Sequence, residues 1–137
     1  MKSFLVICVL SVVVALTTAA MSKEEMMNKL KAARETCIKD NPIPEDEEKG
    51  LMQKKIPVSQ EGKCFVSCMF RQCGTMVDGK FNPEGAKQKA EIMFEDENKK
   101  KQAFEAIDQC AKEVTMDDMC ETGAKIMECY MPKMPDM

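Results

Sequence analysis

Cysteine is the residue type in this chain with the most chemistry to offer. Eight of its 137 residues are cysteines, at positions 8, 37, 64, 68, 73, 110, 120 and 129. Such thiols can form disulfides, hold a metal or act as nucleophiles. Cys64 and Cys68 have three residues between them, not the tight two-residue knuckle common in zinc sites, and the chain has no His to complete such a site. The lack of His also removes the usual general base and the Ser-His-Asp and Cys-His arrangements. No catalytic constellation is visible, so the chain reads as a non-enzyme with no metal and no cofactor. Disulfide chemistry remains, and it needs an oxidising compartment.

The N-terminus supplies that compartment. Residues 1–20 read as a secretory signal: Lys2 gives the positive start, Phe4 to Leu16 the apolar run, and Thr18-Ala19-Ala20 the small residues of a cleavage site. Removing them discards Cys8 and leaves residues 21–137, one domain with seven cysteines and a net charge of −4, 19 basic against 23 acidic groups. No remaining stretch approaches the ~18 apolar residues that span a bilayer, so the mature chain is expected to be soluble, extracellular and free of membrane insertion. Its basic residues are interspersed among acids, which argues against a nucleic-acid partner.

Helical periodicity runs through nearly all of it. Ser22 and Glu25 form a capping box, and Met26, Leu30, Ala33 and Cys37 follow on one helical face. Asn41-Pro42 ends that helix, because the residue before proline is pushed out of the α region. A short helix is expected over 45–54. Ser59 caps a third, which carries Cys64, Phe65, Cys68 and Met69 inward. Val77-Asp78-Gly79-Lys80 is a turn, and Asn82-Pro83 starts a helix with the stripe Ala86, Ala90, Met93 and Phe94. The charge reversal over 95–101 marks a solvated junction. Ala103, Ile107, Cys110 or Ala111, and Val114 define the fifth stripe. Asp117 or Asp118 caps the last helix, with Met119, Cys120, Gly123, Ile126, Met127 and Tyr130 inward. The expected fold is all-α, a compact bundle of about six helices.

These elements constrain the cysteines. Cys64 and Cys68 lie one turn apart on nearly the same face, so they tie their helix to two neighbours rather than to each other. Cys120 and Cys129 are nine residues apart and point in opposite directions, which bridges the last helix on two sides. Six cysteines still allow fifteen connectivities. Cys73 leaves its helix away from the Cys64 and Cys68 side and is the odd one out, a free thiol or an intermolecular bridge.

The six framework cysteines follow the series Cys37, 26 residues, Cys64, 3 residues, Cys68, 41 residues, Cys110, 9 residues, Cys120, 8 residues, Cys129. Behind a signal and on a helical chain of this size, the series resembles the insect odorant-binding proteins, the pheromone-binding and general odorant-binding type. The resemblance spans nearly the whole mature chain, and the three- and eight-residue intervals are its most specific elements. It implies the bridges Cys37–Cys68, Cys64–Cys120 and Cys110–Cys129, which also satisfy both helical constraints. It further implies helices around an internal apolar cavity, and secreted transport of small hydrophobic molecules, most of all odorants, through aqueous fluid. An odorant receptor becomes a candidate partner, and the chain itself a monomer or weak homodimer. Cys73 and the short tail after Cys129 depart from the pattern.

Composition adds support for an adaptable site. Residues 21–137 hold thirteen Met but only two Leu, Leu30 and Leu51; Met is unbranched and polarizable and recurs at promiscuous binding surfaces. The inward stripes nominate Met52, Ile56, Met69, Phe70, Met76 and Met93 as cavity wall. Phe94, Ile107, Val114, Ile126, Met127 and Tyr130 complete the set. Tyr130 is the foremost donor to a ligand oxygen, ahead of Thr75 and Thr115. Met131 or Met134 could cover the mouth. With no His, acid-triggered release is expected to be weak. Two other readings compete: the same fold as a non-olfactory carrier in saliva, venom, haemolymph or reproductive fluid, and an interaction module linked through Cys73.

Overall fold

A computed structural model describes residues 21–115 and 118–136. The expected signal segment lies outside the described residues, as does Asp117. The described chain forms six α-helices and one short hairpin.

Local sequence explains each boundary. Helix α1, Lys23–Asp40, starts in the expected capping box: Ser22 Oγ accepts from the Glu25 amide and the Glu25 carboxylate accepts from the Ser22 amide, both at 3.2 Å. Such a cap contributes about 1 kcal/mol. Helix α2, Glu45–Met52, has four acids in its first turn, which complement the helix dipole. It closes with Lys54 at φ 60°, whose amide donates to the Leu51 carbonyl at 3.0 Å while Lys55 N donates to Gly50 O at 2.9 Å. This is the Schellman pattern, with lysine where glycine is usual.

Helix α3, Gln60–Gln72, is capped by Ser59, whose hydroxyl accepts from the Gly62 amide at 3.0 Å. Glu47 reaches across from α2 and accepts from the amides of Val58 and Ser59 and from the Ser59 hydroxyl. Those bonds, the Ser59 hydroxyl first, hold its carboxyl below the usual range. Phe65, Val66, Ser67, Cys68 and Phe70 are all buried, so α3 is covered on more sides than its stripe suggested.

A hairpin pairs β1, Met76–Val77, with β2, Lys80–Phe81. Its loop residues Asp78 and Gly79 both take positive φ, 54° and 74°, as a two-residue I′ turn requires. Helix α4, Pro83–Met93, follows Asn82 and buries Ala86, Ala90 and Met93. The Asn82 side chain caps nothing; it donates to the Gly74 carbonyl at 2.9 Å and ties α4 to the end of α3. Asp96 caps α5, Glu97–Glu113, and Asp118 caps α6, Met119–Tyr130. A 3-10 turn, Met131–Lys133, leads into the tail.

The inward assignment of Met119 is corrected. Met119 is 40% exposed, because it opens α6 and only its backbone turns inward, where its carbonyl accepts from Ser67 Oγ at 2.8 Å.

The largest packing contact joins α3 to α6; α5 packs on α4, and α1 on α3. Three bridges follow these contacts. Cys37–Cys68 ties α1 to α3, Cys64–Cys120 ties α3 to α6, and Cys110–Cys129 ties α5 to α6. Both α3 and α6 are thus held to two different neighbours, as helical spacing demanded. Bridges of this kind contribute about 2–4 kcal/mol each, enough for a small domain to tolerate an incompletely filled interior.

Candidate functional site

Among the described concavities, one is dominated by apolar side chains. It has a volume of about 250 Å3 and lies between α1, α4, the end of α6 and the tail. Met27 and Leu30 of α1 form one wall, Ala86, Ala90 and Met93 of α4 with Phe94 another, and Tyr130, Met131, Met134 and Pro135 the third. Space exists there because α4 presents alanine at two positions one turn apart, so its wall is recessed. Phe70 backs the Tyr130 ring, with centroids 6.1 Å apart at 56°. The size lies above the roughly 150 Å3 cavity that takes benzene and just under the ~300 Å3 lower end of drug-sized pockets.

Polar groups are few and sit at its edge: Lys54, Lys89 and Asp136. Lys54 Nζ pairs with Asp136 Oδ1 at 3.0 Å and reaches the Met134 carbonyl at 3.5 Å. Lys99 Nζ donates to the Asp136 carbonyl at 2.8 Å, and Gln102 donates to the Lys133 carbonyl at 3.2 Å. The tail is therefore strapped across the cavity from α2 on one side and α5 on the other. The Lys54 hydrogen bond holds the Asp136 carboxyl below its ordinary range. Tyr130 is buried and its hydroxyl makes no hydrogen bond among the described residues.

Of the twelve side chains nominated from sequence, Met93, Phe94 and Tyr130 meet at this cavity. Phe70, Met76, Ile107, Ile126 and Met127 are buried in the adjoining core, and Ile56 packs partly against it. There, neighbours fill the space instead of leaving it open. Met69 packs with Phe65 around the Cys37–Cys68 bridge. Val114 lines a separate, charged groove beside Cys129, with Glu113, Lys125, Glu128 and Lys133. Met52 is corrected outright: it is 88% exposed, since α2 lies on the outside and Leu51 takes the inward position.

Sequence reasoning missed Met27, Lys54 and Lys89, and read Leu30, Ala86 and Ala90 as inward-facing stripe residues only. Lys89 did carry a signal. It lies three residues after Ala86 and four before Met93, at the edge of an apolar stripe, where a charge is unusual.

Thr75 is fully buried, with no hydrogen-bond partner for its hydroxyl among the described residues, but it does not line the cavity. Thr115 is exposed, and its hydroxyl lies 3.4 Å from Lys125 Nζ. Cys73 is unbridged and half-buried at the end of α3. Burial pushes its thiol pKa up, and the charges of Lys89 and Lys29 oppose this only in part. Among the described residues no helix is long and apolar enough to cross a membrane.

Comparison with known proteins is consistent over most of the chain. A model of the PBP/GOBP family matches residues 19–133. The fold is similar to odorant-binding protein OBP28a of Drosophila melanogaster, with TM-score 0.71 and 25% identity over 82% of this chain and 94% of that one. It is similar to Apis mellifera odorant binding protein 5, with TM-score 0.71 and 19% identity over 84% and 93% of the two chains. It also resembles a fatty acid binding protein, OBP56a, from the oral disk of the blowfly Phormia regina. There the TM-score is 0.59 and the identity 32%, over 80% of this chain and 92% of that one. Among curated protein sequences none is significantly similar.

Proposed function

The chain belongs to the PBP/GOBP family, and we propose that it is a secreted carrier that holds odorants in the cavity under its tail and moves them through aqueous extracellular fluid. Family and fold support a carrier of small hydrophobic ligands rather than an enzyme. The observation that carries the proposal is the apolar cavity of about 250 Å3 between α1, α4 and the tail. Its walls include four methionines, Met27, Met93, Met131 and Met134. Met adapts its shape to different occupants at little cost, which suits a carrier of several related molecules. The signal-like pattern of residues 1–20 supports secretion, and the three bridges suit an oxidising fluid.

Native mass spectrometry of delipidated protein against apolar volatiles, fatty acids and amines tests this. Retention of one class at micromolar concentration supports it; binding of none below tens of micromolar defeats it. A second reading places the same carrier outside olfaction, and the similarity to the blowfly oral-disk protein favours it. Expression in antennae supports the first, expression confined to mouthparts or glands the second.

A further inference from the structure

Half-buried lysines in this protein are almost all satisfied. Lys63 pairs with Glu121, Lys87 with Asp108, Lys100 with Glu91 and Glu97, and Lys133 with Glu113. Lys99 donates to the Asp136 carbonyl and Lys125 to Thr115. Lys89 is the exception. It is half-buried on α4 and lines the apolar cavity, yet it has no hydrogen bond and no ion pair among the described residues. An ammonium that no group among the described residues engages, carried on a side chain that lines an apolar cavity, is available to an anionic guest. Tyr130 lines another wall of the same cavity, and its hydroxyl makes no hydrogen bond among the described residues. The local charge has the same sign: the cavity edge holds Lys54 and Lys89 against Asp136, although the whole chain carries −3. Lys54 is spent on Asp136, which leaves Lys89 as the cavity lysine with no anionic partner among the described residues.

We infer that the cavity takes a monocarboxylic acid, its hydrocarbon part against Met27, Leu30, Met93 and Phe94 and its carboxylate on Lys89, with Tyr130 as the second donor. This rests on the carrier reading and names the ligand's head group. Bonds from an ionised donor to an ionised acceptor are roughly twice as strong as neutral ones, so Lys89 discriminates acids from alcohols of the same length. Size sets the length. If a cavity of roughly 150 Å3 holds benzene, one of about 250 Å3 holds on the order of ten non-hydrogen atoms.

Octanoate matches that size, and 1-octanol and octylammonium are controls of nearly the same shape. Isothermal titration of the oxidised, three-bridge protein at pH 7.5 is expected to give octanoate about tenfold tighter than 1-octanol, with octylammonium weakest. Lys89→Gln then removes the octanoate advantage, bringing octanoate affinity down to that of 1-octanol in the same variant. Tyr130→Phe weakens both oxygen ligands by a similar factor. Circular dichroism confirms that both variants keep the helical fold. If 1-octanol binds the wild type as tightly as octanoate, or if Lys89→Gln leaves their ratio unchanged, the carboxylate assignment is overturned and the carrier reading stands. If none of the three probes binds folded wild-type protein, the carboxylate assignment is overturned, and the carrier reading is decided by the wider panel of volatiles, fatty acids and amines.

Discussion

A Cβ added to Gly123 would lie 2.8 Å from both Cα and Cβ of Ser67, so α6 and α3 meet there backbone against backbone. The contact lies three residues from Cys120 and Cys64 on their respective helices, whose Cα atoms are 4.4 Å apart. Ser67 reinforces it by donating to the Met119 carbonyl. The bridge and the missing side chain set one short interhelical distance together.

Gly123→Ala tests this closeness. Helix propensity alone favours Ala by about 1 kcal/mol, whereas overpacking against a backbone costs ~1–3 kcal/mol or more. The clash is with main-chain and Cβ atoms, which have no flexible end to move aside, so the expected outcome is net destabilisation. Thermal unfolding of the oxidised protein is expected to show a fall of several degrees; a rise would mean that the helices separate at no cost.

Lys54→Gly separates the strap from the backbone that presents it. Lysine at φ 60° costs about 1 kcal/mol that glycine does not. The substitution also removes the ammonium that holds Asp136. The expected result is unchanged or slightly higher thermal stability together with several-fold faster ligand dissociation in stopped flow. Removing residues 132–137 is expected to speed dissociation further. Equal off-rates in all three proteins would show that the tail is no barrier.

The pH response follows from which groups are shifted and in which direction. Asp136 and Glu47 both have carboxyls held below their ordinary values by hydrogen bonds. A lowered folded pKa stabilises the native arrangement above the unfolded pKa, near 3.8 for Asp136 and 4.5 for Glu47. That contribution is lost only as pH falls through the still lower folded value. With no His in the chain, affinity for an uncharged ligand such as 1-octanol is expected to change less than about threefold between pH 7 and 5, and to fall below about pH 4. A tenfold loss by pH 5.5 would contradict this.

Cys73 is expected to be slow rather than reactive. Burial raises its thiol pKa, so little thiolate exists at neutral pH, and thiolate is the reacting form. Alkylation of native protein at pH 7.5 is expected to lag well behind that of the urea-unfolded, still oxidised chain. Cys73→Ser keeps all three bridges and the same mobility on non-reducing gels. A dimer band that this substitution abolishes would instead support covalent pairing through Cys73.

Most helix starts were legible because they are written in a few neighbouring residues: Ser22 with Glu25, Ser59, Asn82-Pro83, and the aspartate before Met119; the Asp96 cap of α5 was not read. The Asp78-Gly79 turn was legible for the same reason. The bundle followed from apolar spacing, and the cysteine intervals resembled a family whose bridges the fold contains. The cavity wall was not legible. Periodicity identifies side chains that point inward, but a void arises where inward side chains are too small to fill the gap, as at Ala86 and Ala90. Ile107 and Ile126 share that inward direction and are fully buried in filled space. Met52 failed for another reason: a short surface helix has one inward position per turn, and Leu51 holds it.

The wiring of the bridges divides the molecule into two mechanical parts. Cysteines join α1, α3, α5 and α6 into a covalent frame. Helix α4 and the tail, which form one cavity wall and most of another, carry no bridge. A guest can therefore come and go by breathing of these two walls while every sulfur–sulfur bond stays intact. Resistance to heat resides mainly in the frame and residence time in the walls, so substitutions on α4 or the tail can retune how long a guest stays without weakening the vessel that carries it.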